Sequence, residues 1–221
     1  MLRKPLVISL IFLVFFMLPA GLSFGSNAQV SQLPGNLDRS QGQVPSSQNA
    51  ISESYTTLTN SVPPVPKWFQ TEVSRRRAGA GEKTTPEFTA ELWNIVWEVS
   101  TQYEIDPFFI SAVIAVESNF RNVKGPGGVL GMMQILPSTA RTIAQLLKLE
   151  QPKDWNELLT NHKLNITYGT AYLSYLFKQT GSLSKALERY NNGPKKETFA
   201  QTVMGVYERY KSLHLQETGQ K

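Results

Sequence analysis

Apolar residues in the second half of the chain recur at the spacing of α-helices. Thr85-Pro86-Glu87 is typical of a helix start, with a capping hydroxyl, a proline at the first helical position and an acid in the first turn. Asp106-Pro107 starts a second helix, whose body at 108–116 is apolar on nearly every side and therefore belongs inside the core. The first helix presents an apolar stripe at steps of three and four, made of Phe88, Leu92, Ile95, Val96, Val99 and Tyr103.

Shorter stretches with the same periodicity predict further helices, and none alternates in the manner of a half-buried strand. Gly181 suits the end of one of these helices. The pattern predicts an all-α domain over residues 86–221. The ranges of the further helices are 137–147, 154–159, 163–179, 183–190 and 197–213.

The first 28 residues have the parts of a secretory signal peptide. Arg3 and Lys4 form the basic start, a predominantly apolar run follows at 6–18, and Ser26-Asn27-Ala28 offers a cleavage site, with 23–25 as the alternative. The run is short for a membrane span, although an uncleaved anchor is the other reading. Both readings predict an exported protein, in the periplasm or cell envelope, and the second predicts a membrane-held form.

Residues 29–85 are rich in Ser, Gln, Asn, Thr, Gly and Pro and sustain no apolar periodicity. Such a segment buries too little surface to offset its conformational entropy, so we expect a disordered linker. One alternative concerns 65–73, which contains Trp68 and Phe69 and could dock onto the domain. The basic cluster at 75–77 is interpreted as a solvated feature of the linker.

Composition narrows the chemistry. The chain has no cysteine and only two histidines, which excludes disulfides, thiol nucleophiles and cysteine-ligated metals and predicts no metal or cofactor. Its net charge is +5, but eight of the 22 basic and four of the 17 acidic residues precede residue 86. The helical domain is therefore almost neutral, and no nucleic-acid partner is predicted.

Glu117 is an acid at the end of the apolar core helix. An ionised carboxylate is costly there, and no basic residue lies three or four positions earlier on the helix. We therefore expect a raised pKa, which would let the protonated carboxyl act as a general acid. From its position alone, an exposed helix-end glutamate is an equally good interpretation.

A glycine-rich loop at 124–131 follows Glu117 and leads into Met132-Met133-Gln134. It lacks the Lys-Ser/Thr of a phosphate-binding Walker loop. The glycines let a ligand approach the backbone, and the amide of Gln134 stands beside apolar methionines. This mixture of polar and apolar groups suits a sugar ligand. A second polar, aromatic turn at 189–194 contains Tyr190, and by itself this turn is interpreted as a helix end.

Four motifs occur in the same order as in the soluble lytic transglycosylases, and the chain resembles that family over about residues 87–213. The resemblance implies a goose-type lysozyme-like fold and cleavage of the β-1,4 bond between N-acetylmuramic acid and N-acetylglucosamine in peptidoglycan. The motifs are Glu117-Ser118-x-Phe120, Gly131-Met132-Met133-Gln134-x-x-Pro137-x-Thr139-Ala140, Asn165-Ile166-x-x-Gly169-x-x-Tyr172-Leu173 and Tyr190-Asn191-x-Gly193.

The resemblance also implies roles for single residues. Glu117 matches the family's one catalytic acid and base, and Glu197 matches a glutamate that faces the active site from the last helix. The sugar groove is implied to be lined by Gly131, Met133, Gln134, Tyr190 and Asn191. Two departures concern substrate contacts: the Arg and Tyr usual after the Glu-Thr pair are absent, and Gly125 stands where the family often has a serine.

One glutamate suffices for this reaction if the substrate supplies the nucleophile. The 6-hydroxyl of the muramic acid residue attacks its own C1 and closes a 1,6-anhydro ring without consuming water. The alternatives are a lysozyme-like muramidase, a non-catalytic glycan-binding module on the same fold and a chitin-cleaving enzyme. We expect a monomer that serves either general wall turnover or an envelope-spanning secretion, conjugation or flagellar machine.

Overall fold

A computed structural model describes residues 62–219, and in this range it contains eight α-helices, one short 3₁₀ turn at Pro126–Gly128 and no strand. Two isolated antiparallel bridges join Leu130 to Lys124 and to Ile135. The predicted all-α class is confirmed. The helices are α1 (Lys67–Gly79), α2 (Pro86–Tyr103), α3 (Pro107–Ser118), α4 (Pro137–Leu147), α5 (Glu157–Thr160), α6 (His162–Thr180), α7 (Leu183–Asn191) and α8 (Lys196–Thr218).

The two helix starts predicted from the sequence are confirmed. The Thr85 side chain accepts a hydrogen bond from the Phe88 backbone N–H at 3.2 Å, and Asp106 Oδ1 accepts one from the Phe108 N–H at 2.7 Å. The predicted bounds of α4 also hold, whereas α8 runs on to Thr218 instead of ending at residue 213. Within the described range, no helix is both long enough and apolar enough to cross a membrane.

Helix α3 runs through the main hydrophobic core, where every residue from Pro107 to Ala115 is buried. It packs against α8, and α6 packs against both α2 and α7. A second, smaller core lies between α4, α5 and α6. The loop 129–136 contributes Met132 and Met133 to the main core and Leu130 and Ile135 to the second. This loop therefore links the two cores beside the end of α3.

The prediction of a disordered linker is wrong for residues 67–79, which form α1. Trp68, Phe69 and Val73 are at most 5% exposed and belong to the main core, so the alternative of a docked segment is confirmed. These few apolar anchors are enough because buried Glu72 is neutralised by arginines. The predicted signal peptide and the linker up to residue 61 lie outside the described residues.

The basic cluster at 75–77 is only partly the solvated feature that the sequence predicts. Arg75 is 55% exposed, but the side chains of Arg76 and Arg77 are 16% and 12% exposed. Both of these guanidinium groups donate to backbone carbonyls near the end of α3. The prediction is therefore wrong for Arg76 and Arg77.

Candidate active site

Glu117 lies in the last turn of α3 and is partly buried. Burial raises the pKa of its carboxyl from 4.5 to about 8, and no charged side chain in the range 62–219 contributes to that shift. The rise expected from the sequence is confirmed, with the expected cause. At neutral pH the carboxyl is thus mostly protonated, the state that a general acid requires.

The residue after Glu117 ties the end of α3 to the glycine-rich loop. The Ser118 hydroxyl donates to the Met132 carbonyl at 2.8 Å and accepts from the Arg121 backbone N–H at 3.2 Å. Arg121 Nε in turn donates to the Ser118 carbonyl at 2.9 Å. These bonds fix the position of the chain directly behind the acid.

Tyr190, at the end of α7, is the polar side chain that the structure brings to Glu117. Its hydroxyl donates to the Met133 carbonyl at 2.7 Å, and its ring centroid lies 5.3 Å from that of Tyr172. Burial raises the pKa of Tyr190 well above 10, and the charge of Glu117 adds to this rise. Tyr190 bonds Met133 and Ser118 bonds Met132, so both helix ends meet at this two-residue segment. The glutamate and the tyrosine, distant in sequence, therefore share one site.

Asn165 organises the loop beside Glu117. It belongs to the third sequence motif but is not among the predicted site residues. Its Oδ1 accepts from the Met133 backbone N–H at 2.8 Å, and its Nδ2 donates to the carbonyls of Leu130 at 2.9 Å and Leu158 at 3.0 Å. The side chain is fully buried with both ends of its amide bonded. The signal that could have identified this residue is an asparagine within a helical motif, because a buried amide requires hydrogen-bond partners.

Two residues predicted to line the sugar groove prove to be internal. Gly131 is buried with φ at 75°, and a Cβ there would overlap Asn165 and the Leu158 carbonyl. The Met133 side chain is fully buried, and its sulfur lies against Gly169. Neither residue is exposed in this structure, and their contact with substrate stays a prediction. Both shape the loop.

Gln134 keeps a place in the site, but its amide nitrogen is already used. Its Nε2 donates to the carbonyls of Val123 at 2.9 Å and Gly131 at 2.7 Å. Its Oε1 occupies the space that a Cβ on Gly125 would need. The glycine that departs from the family's serine leaves room for the amide of Gln134 in its present conformation. A ligand could use only the acceptor Oε1 of Gln134.

The last two candidates differ in burial. Asn191 is 9% exposed, and its Oδ1 accepts from the Gly193 backbone N–H at 3.2 Å, so it closes the turn after α7. Glu197 lies in the first turn of α8 with a 59% exposed side chain, 3.9 Å from the Lys196 ammonium. Among the described contacts, Glu197 makes no hydrogen bond to Glu117, Gln134 or Tyr190, and its role toward substrate stays a prediction.

No group of three or more acidic or histidine side chains within residues 62–219 is placed to hold a metal ion. The chemistry that the site offers is proton transfer by the carboxyl of Glu117, whose raised pKa keeps it protonated at neutral pH. Around it stand the hydroxyl of Tyr190 and the backbone of the Met132-Met133 segment.

The raised pKa predicts that Glu117 destabilises the fold as the pH rises. The unfolded carboxyl ionises near 4.5, whereas the folded one keeps its proton up to about pH 8, so the fold binds more protons in between. The stability contributed by the protonated Glu117 is fully present below pH 4.5 and is lost as the pH rises through about 8. Relative to Glu117→Gln, wild-type stability should fall by up to about 1.4 kcal/mol per pH unit in that window. Urea unfolding at several pH values measures this, and a pH-independent difference would contradict it.

A protein-family model, Transglycosylase SLT domain, matches residues 94–211. The membrane-bound lytic murein transglycosylase E of Buchnera aphidicola is 31% identical over 105 residues, covering 46% of this chain and 48% of that protein. The soluble lytic murein transglycosylase of Salmonella typhimurium is 24% identical over 193 residues, covering 75% of this chain and 30% of that protein. This chain thus spans about half the length of the first relative and less of the second.

Among solved structures, an inactive mutant of the lytic transglycosylase Slt from Pseudomonas aeruginosa superposes with a TM-score of 0.52 and 18% identity. The superposition covers 70% of this chain and 29% of that one. At this identity the likeness concerns the fold alone. It confirms the lysozyme-like helical architecture that the motifs imply.

Proposed function

Because this chain belongs to the transglycosylase SLT family, we propose that it is a lytic transglycosylase that cleaves the β-1,4 bond between N-acetylmuramic acid and N-acetylglucosamine in peptidoglycan. The observation that carries the proposal is Glu117, whose buried carboxyl has a pKa of about 8. A carboxyl that holds its proton at neutral pH can protonate a glycosidic oxygen. Two relatives named as lytic murein transglycosylases support the same substrate.

The first step is a proton transfer from Glu117. Its O–H donates to the oxygen that links C1 of the muramic acid residue to the departing N-acetylglucosamine, and the C1–O bond breaks. Positive charge develops at C1 and the ring oxygen, as in other glycosidic cleavages. The carboxylate left behind carries a charge in a site that disfavours it, which makes Glu117 a strong base for the next step.

The second step returns the proton to Glu117. The 6-hydroxyl of the same muramic acid residue attacks C1, a new C1–O6 bond closes the 1,6-anhydro ring, and the hydroxyl proton passes to the carboxylate. No water is consumed, and Glu117 ends in its starting state. Because the nucleophile belongs to the substrate, the attack is intramolecular and has the proximity advantage of such reactions.

The described part of the chain, residues 62–219, brings no second carboxylate into electrostatic contact with Glu117, and this favours the route over hydrolysis. Glycosidases that retain or invert configuration use two carboxyl groups. Within the described residues, no other acid contributes to the pKa shift of Glu117, and exposed Glu197 pairs with Lys196. A muramidase would need such a group to activate water.

We also infer a place for the protein in the cell envelope, since its substrate lies there and the first 28 residues resemble an export signal. Substrate binding would involve the backbone of the loop 129–136, Oε1 of Gln134 and the exposed carboxylate of Glu197. General wall turnover and service to an envelope-spanning machine both fit this placement.

Digestion of purified murein sacculi tests the proposed substrate. We expect the protein to release soluble muropeptides from murein and to leave chitin oligomers intact, because the proposed substrate carries a lactyl group on its donor-side sugar and chitin does not. Equal cleavage of chitin oligomers would favour a chitin-cleaving enzyme. Binding to sacculi without release of muropeptides would favour a glycan-binding module.

A further inference from the structure

The turn that follows Glu117 has an unusual backbone. Asn119 and Phe120 are consecutive and both left-handed, with φ of 54° and 60°. Asparagine tolerates this region, but a bulky aromatic residue adopts it at a cost. Phe120 is also fully buried. Such a conformation persists only where surrounding groups enforce it, and enforced backbone of this kind concentrates at functional sites.

Helix α1 supplies the groups that enforce it. Arg76 Nη1 donates to the Ala115 carbonyl at 3.1 Å and to Asn119 Oδ1 at 3.0 Å. Arg77 Nη1 donates to the Phe120 carbonyl at 2.7 Å. The Ala115 carbonyl also accepts from the Asn119 backbone N–H at 3.2 Å, so Arg76 adds a second donor to the last turn of α3. Arg77 binds the chain just beyond the helix, and the two bonds therefore lie on both sides of Glu117.

We propose that Arg76 and Arg77 are positioning residues, which act through the end of α3 to hold Glu117 in its reactive geometry. They lie outside residues 94–211, the part of the chain that matches the family model. The catalytic unit therefore includes α1. The effect of the two arginines on catalysis rests on the proposed function, whereas their effect on the environment of Glu117 does not.

Helix α1 is anchored firmly enough to act as such a brace. Glu72 is 3% exposed and forms an ion pair with Arg209 of α8 at 2.7 Å. At the start of α1, the carboxylate of Glu217 accepts from the backbone N–H groups of Lys67 at 2.8 Å and Trp68 at 2.9 Å. The start and the middle of α1 are thus tied to α8.

Ring packing completes the connection, because the Phe69 ring of α1 lies 5.9 Å from the Phe120 ring, edge to face. Arg76 Nε also lies 3.5 Å from Glu72 Oε2, an ion pair without a hydrogen bond. A path of direct contacts then runs from α8 through Glu72 and Arg76 to the turn behind Glu117.

The brace acts through geometry and not through its charge. The pKa of Glu117 is raised by burial, with no contribution from Arg76 or Arg77, and Tyr190 of α7 is the titratable group that feels the charge of Glu117. If Arg76 is removed, the end of α3 should loosen and admit water. The pKa of Glu117 would then fall from about 8 toward its ordinary 4.5.

The test compares Arg76→Ala with Arg75→Ala. Both substitutions remove one arginine from α1 and one partner of Glu72, but the 55% exposed Arg75 does not reach α3. For each full-length variant, kcat and KM are measured on soluble murein glycan chains. The pKa of Glu117 is measured by NMR of ¹³C-labelled glutamate, with the signal assigned from Glu117→Gln.

For Arg76→Ala we expect kcat to fall on the order of 10- to 100-fold, with KM within about twofold, since misplacing a reacting group by about 1 Å has effects of that size. The pKa of Glu117 should fall with it. Arg76→Lys keeps a hydrogen-bond donor but loses the planar guanidinium, so it should recover part of the kcat and part of the pKa shift. This variant replaces Arg76→Ala in the test if the alanine variant does not fold. Arg75→Ala should match wild type in both measurements.

Unchanged kcat and unchanged pKa in Arg76→Ala would overturn the proposal. Equal losses in Arg75→Ala and Arg76→Ala would overturn it too, because they would reflect general loosening of α1. A lowered pKa with unchanged kcat would support the brace and refute Glu117 as the acid, so the two failures can be told apart.

Discussion

Replacing Glu117 by Gln should abolish lysis of murein. The amide keeps the size of the side chain but can neither donate a proton to the glycosidic oxygen nor accept one from the 6-hydroxyl. Loss of general acid and base catalysis in one group predicts a drop in rate of at least about 1000-fold. Loss of turbidity of a sacculus suspension, followed under identical conditions, measures the effect.

Glu98→Gln is the matched control for this substitution. Glu98 lies on the surface of α2, where its side chain is 55% exposed and bonds the Lys163 ammonium at 2.6 Å. We expect this variant to lyse murein at the wild-type rate. The Glu117→Gln protein should also fold, since the neutral amide replaces a carboxyl that is mostly neutral. Wild-type lysis by a folded Glu117→Gln protein would refute the assignment of the acid.

Replacing Asn165 by Ala should cost both stability and activity. The change removes one acceptor and two donor bonds and leaves the Met133 N–H and the Leu158 carbonyl without these partners, whereas the Leu130 carbonyl keeps the Ile135 N–H. Unsatisfied buried groups of this kind cost about 1–3 kcal/mol each, so we expect a loss of about 2 kcal/mol or more in the free energy of unfolding. Urea unfolding measures it.

The same substitution should lower the rate of lysis by at least about tenfold, since the loop that holds Tyr190 through the Met133 carbonyl loses its support. Asn94→Ala on the exposed face of α2 is the control. It should change the free energy of unfolding by no more than about 0.5 kcal/mol and leave the rate of lysis at the wild-type level. A fully stable Asn165→Ala protein would show that the three bonds are replaced by water.

The local signals of this sequence were sufficient for most helices and for the acid. A hydroxyl or carboxylate before Pro86 and Pro107 fixes where α2 and α3 begin, because capping depends on neighbouring residues alone. The expectation for Glu117 followed in the same way from its apolar helix. Burial without a nearby opposite charge raises the pKa of any carboxylic acid, because it disfavours the ionised form.

Contacts between distant residues were not accessible from those signals. Helix α1 was read as linker because its sequence is mostly polar, yet three apolar side chains and buried Glu72 fix it to α2 and α8. Gly131 and Met133 were assigned to the groove from their motif. Whether a motif residue faces substrate or the core depends on Asn165 and Gly169, over 30 residues away.

The mass of the released products tests the account most directly. After complete digestion of murein in water enriched in ¹⁸O, mass spectrometry reads whether the muramic acid ends gained a water. A lytic transglycosylase closes the 1,6-anhydro ring, so we predict products lighter by one water than hydrolysis products, with no ¹⁸O incorporated. Reducing ends that carry ¹⁸O would show that water attacks C1, and would contradict the single-glutamate route through Glu117.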